Sequence, residues 1–133
     1  MSRLFCTIGA VFGFLGVAAG AFAAHGLRGL IPLDMLAVFE TGARYQMYHG
    51  LGLLAVGWLS SAKPGRWATA AGWLFVVGTL VFSGSLYALA LTFNGRLGVI
   101  TPFGGVALLA GWGCLAVAGW RTLGRVVPSA SPP

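Results

Sequence analysis

Charged residues are scarce in this sequence: they make up 8% of its 133 residues, and only two of them are acidic. A soluble domain typically carries about a quarter charged residues, because water must wet its surface. Hydrophobic residues make up 58% of the chain, which also excludes a disordered protein, since disorder requires low hydrophobicity. The class that remains is an integral membrane protein.

Cysteine is also scarce, and the basic residues form no cluster along the chain. Cys6 and Cys114 provide neither a disulfide framework nor a CxxC metal-binding pair, and each is expected to be a small packing residue. The net charge of +6 comes from basic residues dispersed at the ends of apolar stretches. No nucleic-acid-binding surface is predicted, because phosphate backbones are bound by clustered Lys and Arg.

Four stretches without charged residues are long enough to cross a bilayer as helices: residues 4–24, 45–61, 67–91 and 100–120. Before the second stretch, the apolar spacing over 33–44 predicts a short extra helix, either lying at the membrane interface or running on into the second span. The sequence therefore predicts an all-α integral membrane protein with one four-span domain over 1–125 and a disordered tail at 126–133.

The first apolar stretch has a second interpretation. Arg3, the apolar run and Ala21-Phe22-Ala23 are typical of a signal peptide with its cleavage site. The run is longer than the roughly 7–15 apolar residues of such a segment, so a membrane span is preferred.

Positive charges are unequally distributed between the two ends of the predicted bundle. The end with both termini and the loop between the second and third spans carries positive charges alone: Arg3, Lys63, Arg66, Arg121 and Arg125. At the other end, three arginines are offset by Asp34 and Glu40. Because cytoplasmic loops carry an excess of Lys and Arg, both termini are expected on the cytoplasmic side of a bacterial inner membrane.

Glycine is abundant, with 22 residues. In lipid, small residues allow helices to approach closely. Four glycines of the first span recur at intervals of three or four residues and share one face of the helix: Gly9, Gly13, Gly16 and Gly20. This face is predicted to pack against a helix of the same chain, or against a second copy or a larger membrane complex.

Polar residues within the predicted spans gather toward the non-cytoplasmic side. Because polar groups are costly in lipid, they are candidate functional residues. Nine are candidates for one ligand-binding pocket: His25, Glu40, Arg44, Gln46, His49, Ser83, Ser85, Tyr87 and Thr101. The alternative is a structural role, through hydrogen bonds between helices or to the carbonyl four residues earlier.

Specific chemistries can be tested against these residues. His25 and His49 could ligate a haem iron, and with Glu40 they could supply three zinc ligands. Two histidines are a small basis for either site, so no metal or cofactor is predicted. No HExxH motif, nucleophile elbow or phosphate loop is present, so no enzyme is predicted. The cytoplasmic halves of the spans are too apolar for an unassisted channel.

Four polar segments, taken together, resemble domain-of-unknown-function family 423, which includes YgdD-like inner-membrane proteins and eukaryotic transmembrane protein 256. These segments cover residues 20–27, 39–49, 82–87 and 101–105. The resemblance extends over roughly residues 4 to 120. It implies a small multi-span inner-membrane protein, and it implies no activity.

Three functions remain open from the sequence. The first is a non-enzymatic structural or accessory membrane component, whose glycine-rich faces pack with a second copy or a larger membrane complex. The second is binding or transport of a small molecule or ion through the polar pocket on the non-cytoplasmic side. The third is a haem-binding or electron-transfer subunit. In every case the protein is expected to lie in the lipid bilayer, which is its first partner.

Overall fold

The computed structural model describes residues 1–123, which form four long α-helices. They are α1 (Ser2–Phe22), α2 (Leu33–Ala62), α3 (Arg66–Thr92) and α4 (Thr101–Leu123). A π-helical turn, Ala23–Leu27, follows α1, and a 3-10 helix, Gly95–Val99, precedes α4. The predicted all-α fold is confirmed for this part of the chain. The tail predicted at 126–133 lies outside the described residues.

Helix α2 combines two predicted segments, 33–44 and 45–61. Of the two alternatives for the extra helix at 33–44, the one in which it runs on into the second predicted span is confirmed, because α2 continues without a break from Leu33 to Ala62. Charges at Glu40 and Arg44 change the polarity of a helix but do not interrupt its backbone hydrogen bonds, and no proline follows Pro32 until Pro64. The helix therefore starts after one proline and ends before the next.

Three segments are long and apolar enough to cross a membrane: Ser2–Leu27, Arg66–Thr92 and Gly95–Thr122. The second of the four predicted spans is not among them, because α2 carries charged and polar side chains from its first turn to its middle. These are Asp34, Glu40, Arg44, Gln46 and His49.

The helices pack mainly against their neighbours in the chain. Helix α2 lies between α1 and α3, and α4 packs against α3. Buried apolar residues from all four helices form the main core: Phe5, Phe12, Leu53, Val56, Ala71, Phe75, Val76 and Leu108. Phe5 reaches past α2, and its ring covers Gly72 of α3.

Large apolar side chains also cover the outside of the bundle. Phe14 and Leu109 are each 74% exposed, and Phe103 is 72% exposed. Contiguous apolar surface of this kind marks contact with lipid or with another protein. The exterior is that of a protein embedded in a lipid bilayer.

The glycine face of α1 contacts α2 over part of its length. A Cβ added at Gly9 would lie 2.7 Å from the carbonyl oxygen of Gly50, so the two backbones touch at this crossing. An added Cβ at Gly16 would meet the Ala43 carbonyl at 3.5 Å, and one at Gly13 would meet only the Met47 sulfur, at 4.0 Å. At Gly20 it would meet nothing within 4 Å. The helices are in close contact near Gly9 and separate toward Gly20.

Candidate functional site

Gln46 connects three helices through its side-chain amide. Its Nε2 donates to the carbonyl oxygen of Phe12 on α1 at 3.0 Å. Its Oε1 accepts from the hydroxyl of Tyr87 on α3 at 2.9 Å. The side chain is buried, and both ends of the amide have a protein partner. Gln46 therefore links α2 to the helices on either side of it.

His49 is hydrogen-bonded through both ring nitrogens. Nε2 lies 3.1 Å from Nε1 of Trp112 on α4, and an indole nitrogen can only donate. Nε2 is therefore the acceptor and carries no proton. Nδ1 holds the ring proton and donates it to the carbonyl oxygen of Tyr45, 2.7 Å away. The neutral ring leaves no nitrogen free for a metal or a substrate.

Aromatic rings surround the His49 imidazole. The centroid of Phe75 lies 5.4 Å from that of His49, and the centroid of Trp112 lies 5.9 Å from it. Phe75 and Trp112 themselves meet edge to face at 5.0 Å. The sequence analysis placed His49 near the start of a span. Because α2 begins at Leu33, His49 lies near the middle of the helix.

A second polar contact joins α3 to the first turn of α4. The Ser85 hydroxyl donates to the carbonyl oxygen of Phe82 at 2.9 Å. Its oxygen also lies 2.7 Å from Oγ1 of Thr101. Since the single Ser85 proton is committed to Phe82, Thr101 is the donor in this pair. The contact fixes where α4 begins relative to α3.

Two buried hydroxyl groups of α3 have no hydrogen-bond partner among residues 1–123. They belong to Thr79, which is 3% exposed, and to Ser83, which is 2% exposed. Ser83 lies one helical turn after Thr79. Serine and threonine within a helix can bond to the carbonyl four residues earlier, but these two do not. A buried hydroxyl without a partner lowers the stability of the fold.

The other predicted site residues lie nearer the surface. His25 is exposed in the π-helical turn after α1. Glu40 is half-buried and Arg44 is exposed, and both line a groove of about 340 Å³ between α1 and α2, with Gly16 and Gly20 on its other wall.

The nine predicted residues are thus connected only in part. Side-chain hydrogen bonds join Gln46 with Tyr87 and Ser85 with Thr101. In the described part of the chain, no side-chain hydrogen bond joins any of the other five to another of the nine: His25, Glu40, Arg44, His49 and Ser83.

The histidines are not arranged as a metal site in residues 1–123. No three side chains from His, Cys, Asp and Glu are grouped as ligands of one ion there. His25, His49 and Glu40 therefore do not form the zinc set considered from the sequence. For a haem iron, His49 would have to give up its bond from Trp112.

Trp112 is the residue that the sequence analysis missed. It supplies the donor that determines the tautomer of His49. A tryptophan within an apolar helix needs an acceptor for its indole N–H when that group is withdrawn from water. That requirement was a signal in the sequence, but it does not identify His49 as the acceptor.

Comparison with known proteins identifies the family. The model of the family described as "Protein of unknown function (DUF423)" matches residues 19–105. The chain belongs to this family. The resemblance noted from the four polar segments is thereby confirmed.

Curated relatives match the DUF423 chain over nearly its full length. The UPF0382 membrane protein YwdK of Bacillus subtilis is 46% identical over 122 residues, which cover 91% of this chain and 99% of the relative. A UPF0382 membrane protein of Haemophilus influenzae is 40% identical over 122 residues, which cover 92% and 98%. No solved structure matches the chain. The relatives are membrane proteins whose names state no activity.

Proposed function

We propose that this DUF423 protein is a non-enzymatic structural or accessory component of the bacterial inner membrane. The observation that carries the proposal is the hydrogen bonding of Gln46 and His49, two buried polar side chains of α2. Both ends of the Gln46 amide and both nitrogens of His49 are bonded to groups of the same chain. A general base or metal ligand needs a free nitrogen lone pair, whereas a residue that joins helices does not.

The proposal includes α2 as a fourth membrane span. Helix α2 lies between α1 and α3, and both of these are apolar enough to cross a membrane. Its polar residues Gln46 and His49 are buried against protein rather than turned to the exterior. Polar side chains in membrane helices are tolerated in this arrangement, because other helices supply their hydrogen-bond partners.

Orientation follows from the charge distribution: we place both termini in the cytoplasm. The test uses the full chain with alkaline phosphatase or a fluorescent protein fused to either terminus. Fluorescent fusions should be bright, and phosphatase fusions inactive, at both ends. An active phosphatase at one terminus alone would show an odd number of spans and contradict the inclusion of α2.

An accessory role requires a partner, and the open end of the α1 glycine face is the proposed contact. Gly20 has nothing within 4 Å of an added Cβ, and the groove beside it carries Glu40 and Arg44. Native mass spectrometry of the protein, taken from its own membrane in mild detergent, tests this idea. We expect a defined oligomer or a co-purifying membrane protein at fixed stoichiometry. A bare monomer that retains a small molecule other than a phospholipid would contradict the accessory role.

One observation favours the second function, binding of a small molecule or ion. The Ser83 hydroxyl is buried without a partner among residues 1–123, so it is available to a polar ligand within the bundle. In that case Ser83→Ala should fold normally and lose a mass that the wild-type protein retains. Equal retention by the two proteins would remove this alternative.

A further inference from the structure

A cleft opens at the end of the bundle where the α2–α3 loop meets the last turns of α4. Its volume is about 590 Å³, within the roughly 300–1,000 Å³ of ligand pockets in proteins. Three basic side chains line it: Lys63, Arg66 and Arg121. Trp67 and Trp120 line it as well. The cleft therefore combines positive charge with aromatic surface.

The two arginines of the cleft converge on one indole ring. The guanidinium carbon of Arg66 lies 5.5 Å from the centroid of Trp67, and that of Arg121 lies 5.6 Å from the same centroid. Each is within the range of a cation–π contact. Both guanidinium groups therefore lie near the same ring and carry positive charge, so an anion in the cleft would be attracted by both.

No acidic side chain of the protein can be that anion. The chain has two acidic residues, Asp34 and Glu40, and both lie in the first half of α2. Lys63 follows the last residue of the same helix, so about 30 Å or more separates Glu40 from the cleft at 1.5 Å per residue. The Debye length is about 8 Å at physiological salt, so these carboxylates do not neutralise the cleft.

Backbone amides add to the positive character of this end. Helix α3 begins at Arg66, and its N-cap residue Gly65 provides no side-chain cap. The first helical hydrogen bond runs from Thr69 N to Gly65 O, so the amides of Arg66, Trp67 and Ala68 have no partner within the helix. Such amides attract anions, and all three residues line the cleft.

The cleft lies at the depth of lipid headgroups. Helix α3 has 27 residues and is about 40 Å long, whereas the hydrocarbon core of a bilayer is about 30 Å thick. Its first turn therefore extends to the polar interface. Trp120 is 85% exposed on the adjoining helix, and exposed tryptophans are enriched at this level.

We propose that this cleft binds the phosphate headgroup of an anionic phospholipid. The two guanidinium groups and the first amides of α3 would contact the phosphate oxygens, while the two tryptophans would lie along the glycerol and upper acyl chains. Aromatic walls and interfacial depth favour a lipid over a soluble phosphate.

Native mass spectrometry of the full chain in detergent tests the proposal, with phosphatidylglycerol and phosphatidylcholine offered in equal amounts. The wild-type protein should retain phosphatidylglycerol in preference. The Arg66→Gln/Arg121→Gln variant should bind it about 25-fold less tightly, since each basic residue near the surface contributes about a fivefold factor. The charge-matched control is Arg28→Gln/Arg96→Gln, whose arginines are exposed after the π-helical turn and in the 3-10 helix at the other end. It should stay within about twofold of the wild-type protein.

Three results would overturn the proposal. The first is equal retention of the two lipids by the wild-type protein. The second is an equal loss in the two double variants, which would reflect net charge alone. The third is displacement of the bound lipid by millimolar inorganic phosphate, which would assign the cleft to a soluble anion. Because Arg66→Lys/Arg121→Lys keeps both charges, it provides a folded comparison if the glutamine variant is unstable, and it should retain most of the binding.

Discussion

Gln46 illustrates how a single polar residue is accommodated inside a membrane helix bundle. Its amide has a donor and an acceptor, and each meets a complementary group on a different helix. Lipid offers no substitute partner, so loss of one bond leaves a buried polar group without compensation. A residue bonded in this way restricts the rotation and the sliding of α1, α2 and α3 relative to one another.

The bond between Gln46 and Tyr87 can be measured in a double-mutant cycle. Tyr87→Phe should lower the free energy of unfolding by about 1 kcal/mol, because Oε1 of Gln46 loses its donor. Combined with Gln46→Leu, the effects should be less than additive, with a coupling of about 0.6–1.7 kcal/mol. Reversible unfolding in mixed micelles gives these values. Tyr48→Phe, at an exposed tyrosine, is the control, and full additivity would contradict the bond.

Residue types were easier to predict than residue pairs. The cost of polar groups in lipid was enough to single out Gln46, His49 and Tyr87 from the sequence. The pairing of Gln46 with Tyr87, and of His49 with Trp112, depends on how each helix is rotated about its axis. That rotation is determined by the packing of all four helices, and the spacing of residues within one helix does not contain it.

At the scale of the helices, the crossing of α1 and α2 depends on glycine at one point and not at another. Gly9→Ala should destabilise the fold by about 1–3 kcal/mol, because the new Cβ would lie 2.7 Å from the Gly50 carbonyl oxygen. Gly20→Ala, on the same face of α1, should be neutral, since nothing lies within 4 Å of its added Cβ. Unfolding of both variants in detergent provides the comparison. Equal destabilisation would mean that α1 and α2 cross elsewhere.

Helix α4 is held to α2 by the bond from Trp112 to His49, and Trp112→Phe removes that donor together with one ring of the indole. We expect a loss of about 0.6 kcal/mol and a looser α4. The readout is alkylation of Cys114, which is half-buried on α4 and packs against the main core. Cys6→Ala removes the other thiol of the chain. In that background, alkylation of Cys114 should become roughly threefold faster, because about 0.6 kcal/mol corresponds to a factor of about three. An unchanged rate would show that apolar packing alone holds α4.

In the sequence analysis, charge was used as a boundary within α2, and it divided one helix into an extra helix over 33–44 and a span over 45–61. Glu40 and Arg44 interrupt an apolar run and therefore end a predicted span, but they are compatible with a continuous helix. Proline and glycine determined the observed ends: Pro32 precedes the helix, and Pro64 and Gly65 follow it. The limits of a helix and the limits of its apolar part are separate properties.

At the scale of the whole molecule, the apolar exterior of α4 should determine membrane insertion. Leu109 is 74% exposed near the middle of this helix, so Leu109→Arg should cost about 2.5–3.5 kcal/mol of insertion free energy. Val99→Arg adds the same charge in the 3-10 helix before α4 and should insert normally. The fraction of each variant in the membrane after expression distinguishes them. Equal insertion would mean that Leu109 faces water or a polar partner.

Composition was sufficient to predict the all-helical membrane class, since so few charged residues cannot cover a soluble domain. It was not sufficient for the arrangement of the helices. Phe5 over Gly72 is a contact between α1 and α3, and nothing in the local sequence of either residue identifies the other. Contacts of this kind become visible only when the bundle is assembled.

Helices that pack against their neighbours in the chain also allow an order of assembly during synthesis. Each new helix that leaves the ribosome finds its main partner already synthesised: α2 meets α1, α3 meets α2, and α4 meets α3. Short separations between contacting residues speed folding. Phe5 is one exception, because its ring must wait for Gly72 to arrive with α3. Until then, the amino-terminal end of α1 lacks its contact with α3. The packing of α1 is complete only after α3 has been synthesised.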